Sequence, residues 1–264
     1  MNIENRIVYR YMNMKGIIPT LRKHALRAAN PKNFDDPNEF KYRHVGITRK
    51  QAKAKLKKLN RQASSKLYKN AEERDEAIKR MIEVSKKIDI RDKIQKKFRI
   101  CCFTQRNDND YMWKRYADDY RGAVLEFFFH KRARTIDPIY YSNEFPQFNP
   151  LAPSNYNIFK NIGLHKLKNP FEKEEELRQF IPFGKKQREV LEKGSKRNRD
   201  FLDASNKLYI GFEPCELIGV YIGDRAPKKT RRKIIKILSR HIYSHVKLYR
   251  LIRGNDNAIS FSNW

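Results

Sequence analysis

The 264-residue chain carries 59 lysines and arginines against 30 acidic residues, a formal net charge of +29, so its expected partner is a polyanion, most commonly nucleic acid. Three cysteines without a CxxC spacing exclude a zinc-finger set and a disulfide framework, and point to a reducing cytoplasm. No apolar run approaches the length of a membrane span, so no membrane partner is expected.

In chain order, Ile7 to Met14 reads as a first strand, with Tyr9 and Tyr11 on one face and Arg10 on the other. Lys15-Gly16 breaks it. A short helix follows over 19–24, then a short strand over 26–29 leading into Asp35-Asp36-Pro37-Asn38-Glu39. Residues 49–97 contain neither glycine nor proline. Their apolar residues (Leu56, Leu59, Ala63 and Leu67, then Ile78, Met81, Ile82, Ser85 and Ile88) follow helical spacing. The expectation is a basic insert of two helices, broken near Asn70, with an apolar stripe on the core and lysines towards solvent.

Phe98 to Thr104 is a run of strand formers. Asn107 to Asp110 offers N-caps for the amphipathic run YMWKRYADDY, in which Trp113, Tyr116 and Tyr120 share a helical face. Gly122 stands where a left-handed cap would end the helix, and Ala123 to Phe129 reads as the next buried strand. Further strands are expected over 136–141, 207–212, 217–222 and 246–252, with an edge over 258–261. Helices are expected over 155–165 and 227–243. The pattern is one α+β domain with a central mixed sheet flanked by helices.

The charge is not spread evenly. Residues 49–99, 185–199 and 225–253 carry formal excesses of 12, 5 and 11, nearly all of the total. A nearly neutral body therefore carries cationic additions, as expected of binding surfaces on a scaffold. The candidate phosphate contacts are Lys53, Lys57, Lys58 and Arg61 in the first block, Lys185, Lys186 and Arg197 in the second, and Lys228, Lys229, Arg231, Arg232 and Lys233 in the third.

Two constellations carry candidate chemistry. Glu174, Glu176 and Arg178 would line one face of a strand; on a helix, Glu174 and Arg178 would form an ordinary i,i+4 ion pair. Asp35, Asp36 and Glu39 around Pro37 read as an Asx-type turn, with a metal-dependent nuclease as the alternative. His241 and His245 are too few for a closed metal site, and no Walker loop, GxGxxG or nucleophile elbow is present.

CCFTQRNDNDYMWKRYADDYRGAVLEF resembles the signature box, CFS/T…MWxxYAxxxxGxxLxF, of a family of uncharacterised bacterial domains. Asn33 to Glu39 resembles that family's FNDP box, with Asp35 in place of Asn. Phe171 to Arg178 resembles its WxYExExR box, with Phe171 and Lys173 in place of Trp and Tyr. The resemblance favours a strand at Glu174–Arg178 and implies a bacterial or phage toxin or anti-phage effector. An early Tyr-Arg-Tyr strand, a mixed sheet and a late Glu-x-Glu strand are also similar to ADP-ribosyltransferases. That similarity implies NAD as cofactor. Tyr9, Arg10 and Tyr11 would then hold it, Arg10 on the pyrophosphate, and Tyr116 would stack on the nicotinamide. Glu176 would face the nicotinamide ribose, Glu174 would position the acceptor, and Arg178 would complete the site. A non-catalytic nucleic-acid-binding module is the rival reading.

Overall fold

An eight-stranded sheet lies at the centre of the computed structural model, which describes residues 6–150, 156–192, 200–254 and 258–264. Its strands are β1 (Arg6–Met12), β2 (Phe98–Thr104), β3 (Ala123–Phe129), β4 (Ile136–Pro138), β5 (Glu176–Pro182), β6 (Leu217–Ile222), β7 (Lys247–Arg253) and β8 (Ile259–Asn263). They lie in the order β8-β7-β6-β3-β1-β2-β5-β4. All neighbours are antiparallel except β6 and β7. The architecture is thus α+β with a mixed sheet. The main helices are α1 (Met14–Lys23), α2 (Arg49–Gln62), α3 (Ala71–Lys86), α4 (Arg91–Lys97), α5 (Asp110–Tyr116), α6 (Tyr156–Gly163), α7 (Lys185–Glu192) and α8 (Lys228–Leu238). The parallel pair requires a crossover, and α8 supplies it.

Strand alternation sorts the side chains. Cys101, Phe103, Leu125, Phe127, Leu177 and Val220 point to one face, where α1, α8 and the short strands Ala25–Ala28 and Leu208–Gly211 cover them. The other face carries two separate apolar clusters. Tyr11, Val124, Tyr221 and Leu251 pack with Trp113 of α5. Ile100 and Phe180 pack with Phe40, with Ile94 of α4 and with Phe159 of α6. Between these clusters the same face holds Cys102, Thr104, Glu176 and Arg178.

β1 and β2 part company soon after they meet. Tyr9 pairs with Thr104, but further along β2 the partner of Ile100 is Ala29. Arg10 fills the gap: Nη1 donates to Cys102 O at 3.3 Å and Nη2 to Arg27 O at 2.9 Å. A guanidinium fork thereby satisfies carbonyls that continuous strand pairing would otherwise have used.

The basic insert departs from the expected two helices. Asn70 does cap α3, accepting from Glu73 N at 2.8 Å. However, the stripe of α2 and α3 packs on itself: Ile47, Ala52, Leu56 and Ile78 form a separate cluster, and Leu59 and Leu67 are exposed. A third helix, α4, docks on the body of the molecule through Ile94. Near the N-terminus, Asn13 accepts from Gly16 N at 2.9 Å, so α1 starts at Met14 and takes in both Gly16 and Pro19. The strand expected over 136–141 is two pieces, because Tyr140–Ser142 leaves the sheet to pair with His165–Leu167. The last helix stops at Leu238, short of Tyr243.

α5 also ends early, at Tyr116, and the left-handed residues are Asp118, Asp119 and Tyr120, with φ of 53°, 50° and 62°, rather than Gly122. Trp113 still stacks on Tyr120 across that turn, with centroids 6.2 Å apart. Gly122 is required for space: a Cβ there would overlap the Met12 carbonyl oxygen and lie 2.7 Å from Ala117 O. Gly122→Val should therefore cost at least about 2 kcal/mol in chemical denaturation, since backbone on both sides has to move.

Candidate active site

The Glu174–Arg178 segment is neither the simple strand nor the helix that its spacing allows. Glu172–Glu174 forms a single 3-10 turn, Glu175 takes a left-handed φ of 45°, and β5 begins at Glu176. Thr104 Oγ1 ties the turn down by donating to Glu174 O at 2.9 Å. The turn returns the Glu174 side chain to the Glu176 side, and both carboxylates meet Lys166 Nζ, at 2.6 and 3.2 Å. Tyr116 OH donates to the other oxygen of Glu174 at 2.6 Å.

Arg178 closes the network. Its Nε and Nη2 donate to Glu176 at 2.7 and 3.0 Å, and its Nη1 and Nη2 donate to Glu39 at 2.6 and 3.0 Å. Nη1 also donates to Gly163 O at 2.8 Å. Arg178 is 1% exposed, and its charge is balanced on both sides of the fork. Aromatic faces shield the cations: Lys166 Nζ lies 4.4 Å from the Phe171 ring centre, and the Arg178 guanidinium carbon 5.2 Å from that of Phe34.

These neighbours set the protonation states. Burial pushes Glu176 up, but Arg178 and Lys166 outweigh it and hold the carboxyl at about 2. Burial lifts Glu39, and Arg178 offsets only part of the rise. For Lys166, burial lowers while Glu176 and Glu174 raise, and the net direction is up, so it stays a cation. Burial and then Glu174 push the Tyr116 phenol up, which keeps it a donor. Burial and Glu176 raise the Cys102 thiol well above its ordinary value, so it is no thiolate nucleophile.

A carboxylate depressed in the folded state contributes stability that is present above its unfolded value and lost as pH falls through its folded one. The Glu176 contribution should therefore fade between the ordinary value of 4.5 and about 2. Calorimetric melting temperatures should drop through that window, and Glu176→Gln should flatten the drop. Glu39, shifted upward, acts with the opposite sign, so an unchanged slope in the variant would show that Glu176 is not the group responsible.

A cavity of about 280 Å³ opens over this network, bounded by the β1–β2 gap, α5 and the Phe34–Glu39 loop. Tyr9, Arg10, Tyr11, Tyr116, Glu174, Glu176 and Arg178, the residues expected at a cofactor and catalytic site, all line it. Their roles differ in detail. Two nitrogens of Arg10 already serve the carbonyls at the strand gap, so its first task is structural. Tyr11 is 8% exposed, packs edge-on against Trp113 and accepts from Asn109 N at 3.1 Å, as a core residue does. Tyr9 OH donates to Glu126 at 3.2 Å.

The sequence gives little sign of Lys166 and Arg115, which also line the cavity, as does Glu39 of the Asp35–Glu39 loop. The Asp35–Glu39 loop takes the form of its Asx-turn reading. Asp36 Oδ1 accepts from Asn38 N at 2.8 Å in an Asx turn, yet Asp35, Asp36 and Glu39 also face the cavity wall. Among the described residues no three acidic, histidine or cysteine side chains converge as metal ligands. In particular, His245 Nε2 lies 3.0 Å from Leu217 O, and His241 is exposed.

The candidate phosphate contacts Lys53, Lys57, Lys58, Arg61, Lys185, Lys186, Lys228, Lys229, Arg232 and Lys233 are exposed, and Arg231 is half-buried; Arg197 lies outside the described residues. They are not gathered around the cavity. α8 packs on the opposite face of the sheet, and α2 and α3 pack on each other. No helix among the described residues is long and apolar enough to cross a membrane. Compared with family models, curated proteins and solved structures, the chain finds no match in any of the three.

Proposed function

We propose that the cavity is the active site of an ADP-ribosyltransferase-like enzyme, which takes NAD and delivers ADP-ribose to a nucleic-acid or protein acceptor. The observation that carries this reading is convergence. Three boxes spread over 33–39, 101–127 and 171–178 contribute side chains to one cavity, beside an arginine set in a gap between central strands. They are also the boxes that carry the resemblance to the uncharacterised bacterial family, and a toxin or anti-phage role follows from that resemblance.

NAD supplies a glycosidic C–N bond whose cleavage builds positive charge on the ribose. Glu176 is ionised at any working pH and held rigid by Arg178, so it stabilises that charge without having to reorient. Glu174, fixed between Tyr116 OH and Lys166 Nζ, orients the acceptor. The cavity is near the lower end of the roughly 300–1,000 Å³ usual for small-molecule sites. It suits the nicotinamide riboside end, with the remainder of the dinucleotide across the mouth. In the test, protein, NAD labelled in the adenylate, and an oligonucleotide or protein acceptor are incubated together. Label should pass to an acceptor with release of nicotinamide. Retention of all label in NAD would refute the reading.

The exposed cationic blocks support a nucleic-acid partner. If six phosphates are engaged, affinity should fall about a thousandfold between 50 and 200 mM salt. An electrophoretic shift series across that range checks this, and salt-independent binding would remove the charge argument. Salt-dependent binding with no label transfer would favour a binding module without catalysis, a reading suited to α8 and its cations standing on the face opposite the cavity.

A further inference from the structure

Of the described helices that carry the cationic blocks, α8 alone has no acid in it or in the helix beside it. α8 packs Ile234, Ile237 and Leu238 on the sheet, and α1 lies next to it through Ile17 and Leu21. Tyr243 OH, just past α8, donates to Leu21 O at 2.8 Å and ties the two together. Neither helix contains an aspartate or a glutamate. Lys229, Arg232, Lys233 and Lys236 recur at spacings of three and four, so they form one exposed stripe along α8. Lys15, Arg22 and Lys23 are exposed on α1. None of these side chains forms an ion pair among the described residues. Acids on the neighbouring turns are occupied by backbone: Asp203 Oδ1 accepts from Ser205 N and Lys207 N, both at 2.9 Å, and Glu216 Oε2 from Glu213 N at 2.8 Å.

The α2–α3 hairpin is built differently. α2 is as basic, but its partner α3 carries Glu72, Glu73, Asp75, Glu76 and Glu83, and Arg49 of α2 pairs with Asp75 at 2.5 Å. On α8 the pairs Lys229–Lys233 and Arg232–Lys236 stand at i,i+4, where like charges work against the helix. A phosphate polymer would turn that repulsion into attraction and release its own counterions.

We infer that the α1–α8 face docks the phosphate backbone of a DNA duplex, without reading its sequence, on the side of the sheet away from the cavity. This deepens the nucleic-acid reading and rests on it. From Lys229 to Lys236 the stripe runs about 10 Å, and a duplex presents about six phosphates over that length of its axis. The stripe holds only lysine and arginine, which position a backbone and carry no further group for base edges. RNA-selective binding needs partners for the 2′-hydroxyl, and the stripe sets none aside. Single strands are held by stacking on aromatic rings, and neither α1 nor α8 contains an aromatic residue. A duplex held here lies across the sheet from the cavity, so it anchors the protein rather than entering the site.

The test uses two variants of the full chain that lose the same amount of charge from different places. In one, Lys229, Arg232, Lys233 and Lys236 become glutamine; in the other, Lys53, Lys57, Lys58 and Arg61 do. Fluorescence anisotropy with a short labelled DNA duplex of mixed sequence is read across a salt series. The α8 variant should bind about 100-fold more weakly at about 50 mM salt, and the slope of log affinity on log salt should fall by about 3–4. The α2 variant should change the slope by less than about 1. Melting temperatures equal to wild type establish that both variants fold. An α2 variant that loses as much as the α8 variant would overturn the inference, as would tighter binding by wild type of the separated strand or of an RNA duplex of the same sequence. No binding of the DNA duplex by wild type at about 50 mM salt would overturn both the inference and the nucleic-acid reading.

Discussion

Arg178→Leu should lower the unfolding free energy by about 3–5 kcal/mol, the largest effect expected of any single substitution in the cavity wall. The reason is the company that Arg178 keeps. Its guanidinium makes two bonds to Glu39, two to Glu176 and one to Gly163 O. Leucine would leave Glu39 buried without its ion-pair partner and Glu176 with Lys166 alone. Breaking a buried pair costs far more than never having built it. Changing Glu39 and Glu176 to leucine in the same chain should therefore recover much of the loss. Urea denaturation of the single and triple variants checks both statements. A single variant as stable as wild type would mean that water reaches the network.

Glu176→Gln should reduce the turnover of ADP-ribose transfer by about 10²–10³-fold, the usual effect of removing one preorganised electrostatic group. The loss should appear in kcat more than in KM, because the charge that Glu176 opposes develops as the bond breaks. Glutamine retains the side-chain length and an acceptor oxygen for Arg178, while Glu39 keeps its own bonds to that arginine. The variant should therefore fold, in contrast to Arg178→Leu. A Glu176→Gln protein with full activity would move the chemistry to Glu174 or away from the cavity.

Much of this arrangement is legible in the residues, and the exceptions have physical causes. β2 and β3 were readable to the residue because FRICCFT and AVLEFFF are unbroken runs of apolar strand formers. A local side-chain cap decided the error at α1: Asn13 carries the helix back to Met14, past a glycine that looks like a breaker. The stripe of α2 and α3 shows the correct period, but a period does not say what a stripe packs on, and here it packs on its own hairpin.

The site was half legible. Glu174 and Glu176 stand out by spacing, but the left-handed Glu175 that aims them together has no sequence mark. Lys166 is one of 59 lysines and arginines, and nothing local separates a buried lysine from an exposed one. Glu39 stands out beside Pro37, but its part as the ion-pair partner of Arg178 is visible only once that residue, 139 positions away, is seen on the other side of its carboxylate.

The direct measurement is a crystal structure of the protein grown with NAD. The expected result is electron density for the nicotinamide riboside end beside Phe171 and Tyr116, with its ribose against Glu176 and the Lys166–Glu174 and Arg178–Glu39 pairs intact. Density for the dinucleotide on the α2–α3 hairpin or on α8, with an unchanged cavity at saturating NAD, would contradict it.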